Sequence, residues 1–194
     1  CHPLVVASNI KEMIDWEKLK AEDQEYLLST QNDLHQLSKN LDRVSEVIQW
    51  QHNAAALEKT FGTLANLCQV LKKETTEGKI EIQLSQSLEK NLFSFDFYNL
   101  KRAFLEIIKN AFFFNNSSSK TLKIKGEEKN GKIIFMFTDN GNGIEEKHWE
   151  NVFDLLFVSS FSRNRAECGF GIGLALAKEI ILLHNGTIQV QKSN

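Results

Sequence analysis

The sequence predicts an α+β fold, a helical hairpin followed by a two-layer α/β sandwich, and three observations carry that prediction. Leu27, Thr30, Leu34, Leu37, Leu41, Val44 and Ile48 step by alternating threes and fours, the seam of a helix that packs against other helices. Ile80, Ile82 and Leu84 alternate as in a strand, and the segments Thr121 to Lys125 and Lys132 to Thr138 alternate on either side of a polar turn. Leu100, Phe104, Ile107, Ile108 and Ala111 describe one buried helical face between those strands. Helices stacked on one face of a mixed sheet satisfy all three.

Length and charge bound what such a fold can do. A chain of 194 residues buries one full core and a smaller helical appendage. Lys and Arg number 23 against 25 for Asp and Glu, a net charge of -2 that creates no field to recruit nucleic acid or an anionic membrane. The longest apolar runs, Ile133 to Phe137 and Ile180 to Leu183, fall far short of the roughly 20 residues that cross a bilayer, so membrane contact by this segment is not expected. Cys1, Cys68 and Cys168 are widely spaced without a CxxC pair, which argues against a disulfide framework or structural zinc and for a reducing compartment. The first residue is Cys rather than Met, and the expected location is cytoplasmic, with the parent protein tethered to a membrane through a region ahead of Cys1.

The elements follow in order. Pro3 opens an apolar stretch in which Leu4, Val6, Ile10, Met13 and Ile14 keep roughly helical spacing. About ten polar residues join it to the Leu27–Ile48 seam, giving an antiparallel hairpin over residues 1–54. One hairpin leaves a long stripe uncovered, and pairing with its twin into a dimeric four-helix bundle covers it. Residues 55–194 form the second domain. There Leu57, Phe61, Leu64, Cys68 and Leu71 read as a third helical stripe ended near Gly78. Asn115-Asn116-Ser117-Ser118-Ser119 closes the Leu100–Ala111 helix, and Gly126-Glu127-Glu128-Lys129-Asn130-Gly131 links the two strands of a hairpin. A helix from about Gly171 to Leu183 and a strand from Thr187 to Gln191 complete the domain. Phe112, Phe113 and Phe114 cannot all point inward from one helix, so at least one ring meets a partner element or a pocket.

Two glycine-punctuated stretches downstream of the Glu106–Asn110 helix carry the chemistry. Asp139 ends a strand, where a carboxylate can accept a hydrogen bond from the exocyclic amine of a base, and Gly141 and Gly143 let the backbone approach the ring. Gly169, Gly171 and Gly173 precede an apolar helix beginning at Leu174, a run whose exposed N–H groups suit phosphate oxygens. This run comes too late in the chain for a dinucleotide fingerprint, and no GxxxxGK[ST] sequence is present. Asn110 is an amide on an apolar helix and needs a partner, which a Mg²⁺ bridging phosphates would supply. Glu106 lies one turn earlier on the same face, within reach of a metal-bound water or an incoming hydroxyl or imidazole. A tight turn at 139–143, a solvent-facing Glu106 and a capping Asn110 are the bland alternatives.

In combination these motifs resemble the kinase core of a two-component sensor histidine kinase, within the superfamily that also holds type II topoisomerase, the ninety-kilodalton heat-shock chaperone and the mismatch-repair ATPases. The resemblance covers nearly the whole chain. Asn110-Ala111 is similar to the family's N box, which implies a Mg²⁺ ligand at Asn110. Asp139, Gly141 and Gly143 resemble the first glycine box, implying adenine contact at Asp139, and Gly169, Gly171 and Gly173 resemble the second. Phe153-Asp154-Leu155-Leu156-Phe157 resembles the F box, with Phe157 beside the nucleotide, and His184-Asn185-Gly186 resembles the turn after the last helix. The 159–168 loop with Arg163 and Arg165 takes the place of the ATP lid.

What the resemblance implies is transfer of the ATP γ-phosphoryl group to a hairpin His, then to an Asp of a response-regulator receiver domain, in a homodimer. Pro3-Leu4 matches the end of the family's acceptor motif, which sets the acceptor His upstream of Cys1 and makes His2 a bystander. Asp42-Arg43-Val44-Ser45-Glu46-Val47-Ile48 resembles the second hairpin helix. Three departures stand out. Phe112 and Phe113 replace the basic residue often found after the N-box Asn; Glu106 stands where sensor kinases frequently carry Asn; and the family's last strand is expected to be missing from residues 55–194. An ATPase or a degenerate ATP-binding dimeric scaffold of the same fold is the alternative.

Overall fold

The computed structural model describes residues 16–52, 57–158 and 170–191, which fall into two compact units divided between Gln49 and Trp50. In the first unit a 3-10 turn at Trp16–Lys18 leads into one long helix, α1 (Ala21–His52), whose 32 residues extend about 48 Å. Glu22 and Asp23 sit in its first turn, where negative charge complements the helix dipole. Ser38 and Val47 are buried, yet the seam residues Leu34, Leu37, Leu41 and Ile48 are 39%, 45%, 56% and 43% exposed. The second helix of the expected hairpin is therefore present, with much of its stripe facing out. The first, at Leu4 to Ile14, lies outside the described residues.

The second unit layers helices on a small mixed sheet. In chain order it holds β1 (Thr60–Gly62), α2 (Leu64–Glu74), β2 (Lys79–Leu84), α3 (Gln86–Lys90), β3 (Phe93–Phe95), α4 (Phe97–Phe113), β4 (Thr121–Lys129), β5 (Lys132–Asp139), a 3-10 turn at Glu146–His148, and α5 (Gly173–Leu183). β2 runs parallel to β4 and β4 antiparallel to β5, in the order β2-β4-β5, while β1 and β3 pair antiparallel as a separate ribbon. Ile80, Leu122 and Ile124 turn one sheet face toward the buried side chains of α2, α4 and α5, among them Leu67, Leu71, Phe104, Ile108, Leu176 and Ile180. Phe104 of α4 meets Phe135 and Phe137 of β5 edge-on, at 4.9 and 5.0 Å between ring centroids. The Phe triplet divides as its helical spacing requires: Phe112 is fully buried, and Phe113 and Phe114 are 42% and 43% exposed.

Three expectations change. Leu57 and Phe61 are not on the third helix; Thr63 caps α2 by accepting from Asn66 N–H at 3.2 Å, and Phe61 belongs to β1 opposite Ser94. The link in the β4–β5 hairpin is not six residues long, because Gly126 to Lys129 continue β4 and only Asn130 and Gly131, at φ 54° and 71°, make the turn. That Asn-Gly pair suits the tight turn whose twist matches the strands. Thr187 to Gln191 form no strand, since their alternation finds no ladder partner among the described residues. α5 itself ends on a left-handed Asn185 (φ 60°), with Gly186 N–H donating to Ile181 O at 2.9 Å, the bond of a Schellman stop.

Candidate functional site

α4 is the element on which the site is built, and its start is fixed by a buried carboxylate. Asp96 caps it: Oδ1 accepts from Asn99 N–H at 2.9 Å, and Oδ2 accepts from Asn99 Nδ2 at 2.9 Å and from Glu58 N–H at 3.0 Å. Burial works to raise the Asp96 carboxyl, but these donors outweigh it and hold the group below the usual carboxylate range. Asp96 N–H donates to His184 Nε2 at 3.1 Å, so the ring proton sits on Nδ1, 2.8 Å from Ile180 O. The beginning of α4 is thereby tied to the end of α5.

One face of α4 then carries Glu106 and Asn110, a single turn apart and both half-buried. Glu106 Oε1 lies 3.6 Å from Lys109 Nζ. Its Oε2 comes within 2.5 Å of where a Cβ on Gly173 would stand, so the first residue of α5 packs directly on this carboxylate, and a side chain there would have to push the Glu106 tip aside. Gly171 (φ 64°) is more tightly held. A Cβ there would overlap the Phe157 carbonyl oxygen, and its own carbonyl accepts from Leu156 N–H at 3.0 Å. Phe157, half-buried, packs its ring against His148 at 5.3 Å. The 156–157 turn and the glycine run are thus one stitched edge at the N-terminus of α5, and Leu174 follows in its first turn, half-buried.

The other glycine segment leaves the end of β5. Asp139 pairs across the sheet with the buried Leu122 and follows Phe137 by two residues, which sets it on the helix-facing side with α4. Asp139 Oδ1 accepts from Gly141 N–H at 2.8 Å, an Asx turn that orients the carboxylate and leaves Oδ2 to accept from outside. Gly143 adopts φ 71° with open space around it. The loop just past α4 reaches this segment as well: the Asn115 Cα and Cβ lie 3.3 Å from the Cβ position of Gly141. A shallow hollow at this end of the sheet is lined by Glu81, Thr121, Leu122, Lys123, Thr138, Asp139 and Asn140, of which Glu81, Lys123 and Thr138 lie in register on the face away from α4.

The stretch from Glu106 to Asn115 therefore touches both glycine segments, one through Glu106 and one through Asn115. Chemically, the arrangement offers hard oxygen donors at Asn110 and Glu106, a free carboxylate oxygen at Asp139 and glycine backbone at a helix start. Gly169, the 159–168 loop with Arg163 and Arg165, and the Pro3-Leu4 segment lie outside the described residues. Reading the sequence missed Asn140, whose amide joins the two halves of the Asp139 end, and Asp96, although an Asp three residues before an Asn at a helix start is a recognisable cap.

The sequence profile of the Histidine kinase-, DNA gyrase B-, and HSP90-like ATPase family matches residues 95–194, the span from β3 through both glycine segments. The signal transduction histidine-protein kinase ArlS of Staphylococcus aureus is 34% identical over 94 residues, which are 48% of this chain and 21% of that protein, so the match spans about a fifth of the relative's length. Among solved structures, full-length ShkA in complex with AMPPNP superposes with a TM-score of 0.74 at 18% identity, over 91% of this chain and 37% of that one. The histidine kinase AdeS of Acinetobacter baumannii superposes with a TM-score of 0.59 at 17% identity, over 93% and 82%. These structures share the fold, a long helix followed by a mixed α/β sheet domain. With more than half its length matched, the chain belongs to the Histidine kinase-, DNA gyrase B-, and HSP90-like ATPase family, and it is homologous to sensor histidine kinase cores.

Proposed function

We propose that this chain is the kinase core of a two-component sensor histidine kinase, binding Mg-ATP between its two glycine segments and phosphorylating a His upstream of Cys1. The observation that carries this reading is the contact of one stretch, α4 and the loop residue just past its cap, with both segments: Glu106 of α4 with Gly173, and Asn115 with Gly141. Asp139, turned toward α4 with one oxygen uncommitted, accepts from the adenine amine. Gly141 and Gly143 admit the ring beside it, while Gly169, Gly171, Gly173 and Leu174 present backbone N–H groups to the phosphates. Phe157 closes the near end of the lid. Asn110 would supply an oxygen donor of the kind magnesium prefers, with Glu106 in reach of a metal-bound water, and the bound ion would neutralise charge on the phosphates. An imidazole nitrogen then forms a bond to the γ-phosphorus as the bond to the bridging oxygen breaks and ADP leaves. Glu106 is placed to take the proton the imidazole sheds.

The exposed α1 seam at Leu34, Leu37, Leu41 and Ile48 supports pairing of the 1–54 hairpin with a second copy, in a homodimer that passes the phosphoryl group to an Asp of a receiver domain. A second reading, ATP hydrolysis, is favoured by one feature: the Glu106 carboxylate, held against α5 at Gly173, could orient a water instead. The two separate when the native full-length protein is incubated with γ-labelled ATP. Acid-labile, base-stable label on the protein supports the kinase; free phosphate without protein label supports the ATPase; absence of nucleotide binding overturns both.

A further inference from the structure

Asn140 makes more hydrogen bonds than any neighbour in the Asp139 turn, three of them to the loop after α4 and two to Thr121 at the start of β4. Its Oδ1 accepts from Asn115 Nδ2 at 2.7 Å and from Thr121 N–H at 2.8 Å. Its Nδ2 donates to Ser119 O at 2.9 Å and Ser117 Oγ at 3.3 Å, and its backbone N–H donates to Thr121 O at 3.2 Å. Asn115 is 1% exposed, and its Oδ1 accepts from Ser117 N–H at 2.9 Å, so its amide too is committed at both ends. The partners fix both amides: Thr121 N–H demands an acceptor, Ser119 O a donor. Ordinary folding needs would be met by a polar residue at 140 left to solvent, since the residue is exposed. The network instead spans the gap between the last turn of α4 and the strand end that presents Asp139, which have no other polar bond between them among those described.

We propose that Asn115 and Asn140 are positioning residues that set the spacing between α4 and Asp139, and through it the selection of a 6-aminopurine over a 6-oxopurine nucleotide. The inference rests on the nucleotide reading above. A carboxylate that accepts from a 6-amino group repels a 6-oxo group, but only if it is held at hydrogen-bonding distance from that position. A loosened Asp139 keeps its charge and loses the discrimination. Asn140→Asp is the sharpest probe, because it keeps the shape and the bonds from Thr121 and Asn115 while turning an oxygen against Ser119 O. Asn115→Asp does the same at the buried end, turning an oxygen against Asn140 Oδ1.

The test is calorimetric titration of the whole chain with Mg-ADP and Mg-GDP, alongside Asn140→Asp, Asn115→Asp and the double variant Asn115→Ala/Asn140→Ala. Each variant should lose about tenfold in preference for ADP over GDP, the size of one net hydrogen bond at this position. Measured beside Asn115→Ala and Asn140→Ala alone, the double alanine variant should lose no more than the worse of the two, because the pair acts as one unit. Should the buried substitution unfold the chain, Asn140→Asp alone decides, since that side chain is exposed. Folded variants with an unchanged ADP-to-GDP ratio, whatever their thermal stability, overturn the clamp while leaving the nucleotide reading intact. A wild-type chain that binds neither nucleotide overturns that reading, and the clamp with it.

Discussion

The two glycine segments are held in opposite ways. At 139–143 only the tip has room: nothing described lies within 4 Å of the Gly143 Cβ position, while Gly141 sits close against Asp139 Oδ1 and Asn115, and the segment is fixed by side-chain hydrogen bonds from Asp139, Asn140 and Asn115. At 171–173 the constraint is backbone on backbone, since a Cβ on Gly171 would overlap the Phe157 carbonyl, while one on Gly173 would have to displace the Glu106 carboxylate. A site needing a rigid directional acceptor at one end and close-approaching N–H groups at the other is served by this division. Hydrogen bonds specify direction, and the absence of a Cβ permits proximity.

The contrast breaks most visibly at Gly171. Gly171→Ala combines a left-handed backbone with overlap on the Phe157 carbonyl, and should cost about 3 kcal/mol or more, read as a fall in the urea midpoint at unchanged m. Gly143→Ala meets only the backbone preference, about 1 kcal/mol, because nothing lies within 4 Å of its Cβ position. Equal costs at the two positions would erase the distinction.

Both segments lean on α4, so loosening that helix should affect them alike. Asp96→Ala removes its cap and leaves Glu58 N–H without its acceptor, at a cost of about 1–2 kcal/mol. The pH sign follows from the depressed Asp96 carboxyl. Its contribution is complete above the ordinary Asp value, near pH 4, and is lost as pH falls through the lower folded value. Asp96→Asn should therefore flatten the acid limb of the stability curve below about pH 4. Smallest is the effect expected at Cys68 on α2, whose thiol burial pushes up to about 11. It should resist alkylation at neutral pH until the domain unfolds, with or without nucleotide, as mass spectrometry of labelled protein would register.

Elements with a local signature were legible in the sequence, and those decided by a distant partner were not. α4 announced itself through Leu100, Phe104, Ile108 and their spacing, and the β4–β5 hairpin through its alternation and the Asn130-Gly131 pair. Leu57 and Phe61 kept helical spacing by coincidence; the pairing of β1 with β3, more than thirty residues on, and the Thr63 cap override it. Thr187 to Gln191 alternate without a strand beside them among the described residues, and alternation alone makes no ladder. At the site, the glycines and Asn110 were visible by type and order. Asn115 and Asn140 were not, because an amide's role is set by what it faces, and these two meet only when the chain brings residues 25 apart together.

The central claim, that Asn110, Asp139 and the glycine run serve one Mg-nucleotide, is tested most directly by calorimetric binding of ATP with and without Mg²⁺ to the wild-type, Asn110→Ala and Asp139→Ala chains. Asp139→Ala should lose saturable binding in both conditions, and Asn110→Ala should retain Mg-free binding while losing the gain that Mg²⁺ confers. Full ATP affinity in a folded Asp139→Ala chain would contradict the claim.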